Sequence, residues 1–224
     1  GDDTANVVAM LMTAGWIARE KVVPKGCGVL LVINSGEEGL GNLKGSRRIM
    51  ADFGHRVKEF ITFDGNANAV VTKAVGSRRY RVTVRTEGGH SYARFGAPNA
   101  IAQLSSLIAR LYEIRVPEIG RTTYNVGTIS GGTSVNTIAQ NAEMLFEFRS
   151  DDARGLAAME TLFNSVVTTY RAMDVTVEVE LLGGCYPTLN NHVLANTMRQ
   201  IMCDTPQEPW TQEEQDFAAA LDGA

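Results

Sequence analysis

The apolar residues of this chain follow two different patterns. Before residue 76 they form continuous runs, of which the clearest is the Val, Leu and Ile run at 29–33. Such a run is typical of a parallel strand that is covered on both faces. After residue 76 apolar and polar residues alternate, as they do at 79–85, and this is typical of an antiparallel strand with one face in water. The pattern therefore predicts an α/β chain with two kinds of sheet.

In the first part of the chain, acidic residues stand next to the ends of predicted helices and strands. The predicted elements are a helix over 4–20, a strand over 29–34, a helix over 43–53 and a strand over 59–65. Asp2 and Asp3 precede the first helix, Glu37 and Glu38 follow the first strand, and Asp64 ends the second strand. Helix capping explains one acidic end more easily than three in one α/β unit.

The second part of the chain has a different order of elements. They are a strand over 79–85, a helix over 99–114, strands over 123–129 and 143–149, a helix up to residue 173 and a strand over 175–182. Asn99 is expected to cap the first of these helices, and Asp151 or Asp152 the second. Strand, helix, strand, strand, helix, strand is the order of a ferredoxin-like sandwich. A helix over 190–202 and a polar connector with a short helix over 205–224 follow.

Composition excludes several classes of function. The 224 residues are 44% hydrophobic and carry a net charge of −4 without a basic cluster, which argues against nucleic acid or a membrane surface as a partner. No apolar run reaches the length of a membrane span and no leader pattern is visible, so a cytoplasmic location is expected. The three cysteines are widely spaced and have no CxxC pattern, which argues against a disulfide framework or a zinc knuckle.

The pair Glu37 and Glu38 is the strongest sign of chemistry, because an apolar strand ends there in two carboxylates between Gly36 and Gly39. In open α/β sheets, ligands bind beyond the carboxyl ends of such strands. The glycines permit a turn in which one carboxylate binds a metal ion while the other moves a proton. The alternative is an acidic turn that caps the helix beginning near Leu43.

Four motifs together carry a family resemblance. They are Gly1-Asp2-Asp3-Thr4, Ser35-Gly36-Glu37-Glu38-Gly39, Asp64-Gly65 and Gly88-Gly89-His90-Ser91. In this order and spacing they resemble the clan MH zinc metallopeptidases, the group of peptidase T, glutamate carboxypeptidase, aminoacylase, acetylornithine deacetylase and succinyl-diaminopimelate desuccinylase. The resemblance covers residues 1–202. It implies a mostly parallel-sheet catalytic domain with helices on both faces, in residues 1–75 and 185–224, and an inserted βαββαβ lid and dimerisation domain in 76–184.

The resemblance also implies a dinuclear metal site in the catalytic domain. Asp2 would bridge two divalent ions, most often zinc, with cobalt or manganese as alternatives, while Glu38 and Asp64 would each bind one ion. Glu37 would be the general base for a metal-activated water. Hard carboxylate ligands and a separate base suit the hydrolysis of an amide bond.

In the lid domain the resemblance implies three further site residues and a homodimer. His90 would reach the partner subunit's site and polarise the scissile carbonyl, and Asn136 and Arg149 would hold the carboxylate of a small peptide or an N-acyl amino acid. No nucleic acid or membrane partner is implied.

The sequence also departs from the family pattern. The family uses a His from an HxD motif upstream of Asp2 and a His after the returning helix, and neither is visible; His55 and His192 lack the right surroundings. We therefore expect a metallopeptidase or amidohydrolase parent, of which this fragment is inactive and binds zinc weakly. The alternative is a non-catalytic homologue or dimerisation module with an incomplete metal site. An α/β nucleotide binder is disfavoured because no GxGxxG or Walker-type loop follows a strand. Substrate identity and the choice of metal stay open.

Overall fold

A computed structural model describes residues 3–65, 69–171, 175–206 and 208–222 of the chain. The helices are α1 Thr4–Glu20, α2 Lys44–Phe53, α3 Ala100–Leu111, α4 Ala153–Arg171, α5 His192–Asp204 and α6 Gln212–Asp222. The strands are β1 Gly76–Arg85, β2 Gly89–His90, β3 Thr122–Gly131, β4 Thr137–Ile138, β5 Asn141–Ser150 and β6 Thr176–Cys185. Short 3-10 turns cover Gly39–Gly41 and Gly54–Arg56.

The main sheet has four antiparallel strands in the order β3-β5-β1-β6. Along the chain the elements run β1, α3, β3, β5, α4, β6, which confirms the predicted βαββαβ order and the mixed α/β class. The short strands β2 and β4 pair with each other at one end of this sheet. The ladder between β1 and β6 shifts register between Arg79 and Tyr80, so β6 has an additional residue there.

Strict alternation along β1 determines which face of the sheet is covered. Tyr80, Val82 and Val84 are buried beneath α3 and α4, whereas Arg81 and Arg85 lie on the opposite, open face. Because successive side chains of a strand point to opposite faces, burial of the first set fixes the outward direction of the second.

The core beneath the helices is built around aromatic rings. Phe163 on α4 lies with its ring centroid 4.8 Å from that of Tyr80, 5.2 Å from that of Phe146 and 6.4 Å from that of Phe148. The Tyr80 hydroxyl donates a hydrogen bond of 2.6 Å to Glu160, which satisfies the polar end of an otherwise buried ring. Burial and this neighbouring carboxylate raise the pKa of Tyr80.

Side-chain caps start two of the helices as predicted. The Asn99 side chain accepts hydrogen bonds from the amides of two residues at the beginning of α3. Of the two acidic residues before α4, Asp152 accepts the amide of Arg154 at 2.8 Å, and the Arg154 side chain lowers the pKa of that carboxyl to about 2. Asp151 instead pairs with Lys73 at 2.6 Å. Asn191 caps α5 in the same way as Asn99 caps α3.

The open face of the sheet carries alternating charges. Arg81 lies between Glu143, at 3.3 Å, and Glu180, at 2.6 Å, while Arg85 pairs with Glu178 at 3.1 Å. These groups line a polar hollow of about 630 Å³. Exposed ion pairs of this kind contribute little to stability, so the ladder keeps the face polar rather than holding the sheet together.

Two predicted strands in the first part are wrong for this structure. Residues 29–34 and 59–65 have no strand pairing, and the sheets of the described residues are antiparallel. Val29, Ile33 and Phe60 remain 55%, 62% and 60% exposed, and α1 has no buried residue. A parallel strand needs a neighbouring strand and helices on both faces, and no described element supplies them. The predicted helices α1 and α2 do form.

By backbone contacts the chain divides into two units. One contains residues 1–67 and 73–188, and the other contains 68–72 and 189–224. The domain boundaries expected near residues 75 and 185 stay a prediction. Within the described ranges, every helix is too short or too polar to traverse a lipid bilayer.

Phe163→Ala is expected to lower the free energy of unfolding by about 3–5 kcal/mol, because it leaves a cavity among three aromatic rings. Urea denaturation followed by circular dichroism measures the change. Leu162→Ala is the matched control, since Leu162 is the preceding residue of α4 and is 37% exposed. Equal losses in the two variants would contradict the assignment of the core.

Candidate active site

The turn that follows residue 35 is held by its backbone rather than by its acidic side chains. Three amides downstream of the turn donate hydrogen bonds of 2.8–3.3 Å to the carbonyls of Gly36, Glu37 and Glu38. Gly36 has a φ of +73°, a conformation that favours glycine. The N-cap of α2 is Leu43, without a side-chain cap. The capping interpretation of the two glutamates is therefore wrong, and both carboxylates are exposed.

Two other carboxylates affect the pKa of Glu37: that of its neighbour Glu38 and that of Asp64 from a distant segment. Although Glu37 is an exposed residue, slight desolvation of its carboxyl by neighbouring atoms is the largest cause that raises its pKa, followed by the charges of Glu38 and Asp64. The nearby guanidinium of Arg79 acts in the opposite direction. The structure thus brings three of the predicted site carboxylates into one region and places a cation next to them.

The beginning of α1 lies next to the same region. Asn6 donates from Nδ2 both to the carboxylate of Asp3 and to the carbonyl of Gly65, the latter at 3.2 Å. Asp3 occupies the N-cap position of α1 but caps no backbone amide with its side chain. Asp2, the predicted bridging ligand, lies outside the described residues.

The described residues do not complete a metal site. Among them, no group of three or more His, Cys, Asp and Glu side chains is arranged to hold a metal ion. Glu38 and Asp64 have the hard oxygen donors that a divalent cation prefers, but two carboxylates are too few for a closed coordination sphere. No catalytic step through a metal follows from this geometry.

His90 and Asn136 lie together at the opposite end of the main sheet. They are brought together by the pairing of β2 with β4, and the amide of Ser91 donates to the carbonyl of Asn136 at 3.0 Å. His90 is exposed, and its Nδ1 accepts the amide of Ala93 at 3.4 Å. The Asn136 side-chain oxygen accepts the hydroxyl of Ser134 at 2.6 Å.

The two groups of predicted site residues are far apart within one chain. Arg79 lies near Glu37, and Arg85 lies near β2. Both arginines are on β1, six residues apart. At the rise of a strand this separation is about 20 Å. His90 and Glu37 of one chain therefore do not form one site in this conformation.

Arg149, by contrast, lies at the Glu37 end of the sheet. Its Nε and Nη2 donate to the two carboxylate oxygens of Glu147 at 2.9 and 3.1 Å. Glu147 is the main cause that raises the pKa of Arg149. The predicted substrate-binding fork is thus already occupied by a carboxylate of its own strand.

The sequence interpretation missed the residues that connect this turn to the main sheet. Arg79 donates from Nη1 to the carbonyl of Gly39 at 3.1 Å. Asn42 accepts the amide of Gly184 at 3.0 Å, and Arg47 donates to the carbonyl of Gly184 at 3.1 Å. In the sequence, Arg79 is one of several outward residues of an alternating strand, and nothing in that pattern distinguishes it from Arg81.

Comparison with known proteins finds a family match for one part of the chain. Residues 72–171 match the model of the peptidase dimerisation domain of the M20 family, and this range contains the elements from β1 to α4. This part of the chain, just under half of its length, is therefore similar to the M20 peptidase dimerisation domain. The matched range includes His90, Asn136 and Arg149, whereas Glu37, Glu38 and Asp64 precede it.

A curated relative is also similar to this chain. The chain is 29% identical over 136 residues to N-acetyldiaminopimelate deacetylase of Leuconostoc mesenteroides subsp. mesenteroides, covering 58% of this chain and 35% of that protein. It therefore spans about a third of the length of that relative.

Solved structures show the same fold. An aminobenzoyl-glutamate utilization protein from Klebsiella pneumoniae matches with 18% identity and a TM-score of 0.54, over 59% of this chain and 34% of that one. An amidase of the hydantoinase/carbamoylase family from Burkholderia phymatum matches with 23% identity and a TM-score of 0.51, over the same two shares.

Asp64→Asn is expected to lower the pKa of Glu37 towards its ordinary value of 4.5, because a neighbouring negative charge is removed. Arg79→Gln should raise the pKa of Glu37, because a favourable positive charge is lost. Carbon-13 NMR titration of the Glu37 carboxyl measures both changes. Asp52→Asn is the control, since Asp52 pairs with Arg48 on α2 at 2.7 Å. A Glu37 titration that is insensitive to Asp64 would contradict the grouping.

Proposed function

We propose that the chain is part of an enzyme that hydrolyses the amide bond of a small peptide or an N-acyl amino acid, with Glu37 as the general base. The observation that carries this proposal is the position of Glu37. Its carboxylate caps no helix, lies near Glu38 and Asp64, and has a raised pKa. The match to the M20 peptidase dimerisation domain and the similarity to a deacetylase support an amide as the substrate.

In this proposal Glu37 moves one proton during the reaction. It takes the proton from the attacking water as the oxygen adds to the carbonyl carbon. It then gives the proton to the amine nitrogen as the carbon–nitrogen bond breaks. A base works best when its pKa lies near the working pH, and the raised pKa of Glu37 is a shift in that direction.

The metal ions remain part of the proposal. Asp2, Glu38 and Asp64 would provide carboxylate ligands to two divalent ions, most often zinc, with cobalt or manganese as alternatives. Such ions, when bound, supply a water of lowered pKa. Glu37 is left as the base because it is not one of the proposed ligands.

The lid residues are proposed to act across a homodimer. His90 lies on the order of 20 Å along the sheet from the Glu37 region, so a histidine for that site would come from the partner subunit. The match to a dimerisation domain supports this arrangement. In the same proposal the substrate carboxylate is bound by Arg149 at the Glu37 end of the sheet and by Asn136 of the partner subunit, because these two residues lie at opposite ends of the sheet within one chain. The substrate would then replace Glu147 as the partner of Arg149.

A second candidate is a non-catalytic dimerisation module. It is favoured by the family match, which is confined to residues 72–171, and by the incomplete metal site of the described residues. Turnover that disappears in Glu37→Ala without a loss of folding would exclude this candidate. For either function we propose a cytoplasmic location, since all three cysteines are unpaired.

A mixed-dimer experiment tests the proposed active site in the full-length enzyme. His90→Ala and Glu37→Ala variants should each be inactive on a panel of dipeptides and N-acyl amino acids. After subunit exchange, about a quarter of the wild-type rate should return, because half of the dimers are mixed and one site in each is intact. No recovery after exchange has been demonstrated would contradict catalysis by the partner's His90.

Zinc titration tests the proposed ligand set. The 224-residue chain should bind zinc weakly or not at all, because the described residues provide only two of the proposed ligands, Glu38 and Asp64. Isothermal titration calorimetry at neutral pH measures the affinity, and Glu38→Gln with Asp64→Asn is the control for the small heat that remains. Two ions bound at sub-micromolar affinity would show that the chain holds a complete site.

A further inference from the structure

The Gly36–Gly39 turn, which contains Glu37, is joined to the main sheet by a charged hydrogen bond. Arg79 projects from the open face of β1, and its Nη1 donates to the carbonyl oxygen of Gly39 at 3.1 Å. Gly39 is two residues after Glu37, and its φ of +49° completes the turn. A guanidinium donor makes a stronger hydrogen bond to a carbonyl than a neutral group does.

The same arginine is anchored to the sheet from its other side. Arg79 and Glu147 are opposite each other in the β1–β5 ladder, with Arg79 Nε 3.7 Å from Glu147 Oε2. Glu147 is in turn held by the fork of Arg149 at 2.9 and 3.1 Å. The three side chains form the series Arg149, Glu147, Arg79, which ends at the turn. The guanidinium of Arg79 therefore has a position determined by the sheet.

A second contact holds the following residues of the turn to β6. The Asn42 side chain accepts the amide of Gly184 at 3.0 Å, and Arg47 donates to the carbonyl of Gly184 at 3.1 Å. A Cβ atom added at Gly183 would lie 2.6–2.8 Å from the side-chain atoms of Asn42. A side chain at position 183 would therefore displace the Asn42 amide from this contact. The turn is thus held at two points.

We propose that Arg79 is a positioning residue, which fixes the direction of Glu37 by holding the Gly36–Gly39 turn against the main sheet. The proposal rests on the proposed function of Glu37 for its catalytic consequence, but the structural part stands on the contacts alone. It assigns to the lid domain a role in the active site of its own chain, in addition to the role proposed for His90 across the dimer. Glu147 and Arg149 affect the turn indirectly, by holding the Arg79 guanidinium in place.

Hydrogen exchange of the 224-residue chain tests the structural part without any substrate. The amides of Gly41, Leu43 and Lys44 donate to the carbonyls of the turn. In Arg79→Ala they should exchange about tenfold faster, the effect expected when one charged hydrogen bond is lost. Arg79→Lys keeps one charged donor and should restore part of the protection.

Arg81→Ala is the matched control. Arg81 lies on the same face of β1 and bridges Glu143 and Glu180 at 3.3 and 2.6 Å, away from the turn. Its removal should leave exchange of the three amides unchanged within about twofold. Melting temperatures of the two variants should agree, because both arginines are at the surface of the sheet.

Kinetics of the full-length enzyme test the catalytic part. Arg79→Ala should lower kcat about tenfold or more with little change in KM, and Arg79→Lys should recover part of kcat. Unchanged exchange in Arg79→Ala would overturn the proposal. Faster exchange with unchanged kcat would also overturn it, since Arg79 would then hold the turn without positioning the base. A wild-type enzyme with no amidase activity would refute the proposed function, while the exchange experiment would still decide the structural part.

Discussion

The burial of one face of β1 is the constraint on which the rest of this structure depends. Tyr80, Val82 and Val84 point into the core, and their packing there against aromatic rings fixes which face of the strand is buried. Since side chains alternate, Arg79 must point out of the open face. A slip of one residue would place Arg79 in the core and leave the Gly36–Gly39 turn without its charged partner. Packing and site geometry are thus set by the same register.

Electrostatics at the turn follow from this geometry. Desolvation and the negative charges of Glu38 and Asp64 raise the pKa of Glu37, because each disfavours ionisation of its carboxyl. Arg79 offsets part of the repulsion without binding any of the three carboxylates directly, since its hydrogen bond goes to a backbone carbonyl. Among the described residues, Arg79 therefore leaves the carboxylate oxygens of Glu37, Glu38 and Asp64 unengaged.

The sequence predicts this fold where the signals are local. Alternation in β1 and the caps Asn99 and Asp152 depend on nearby residues, and the structure confirms them. The predicted strands at 29–34 and 59–65 depend on partners that the described residues do not provide, and they do not form. Arg79 was missed for a related reason. Its contact with Gly39 joins positions forty residues apart, and no local pattern reports such a contact.

Because of the register shift in β6, the two halves of this strand contact different parts of the structure. Val177 and Val179 stand opposite Val84 and Val82, so this half of the strand follows the phase of the core. The additional residue, Leu182, reverses the odd–even phase, and Gly183 then stands opposite Arg79 on the other face. Such a bulge bends a strand and redirects the residues after it. With one inserted residue, the first half of β6 packs against the core and the second half binds the side chain of Asn42.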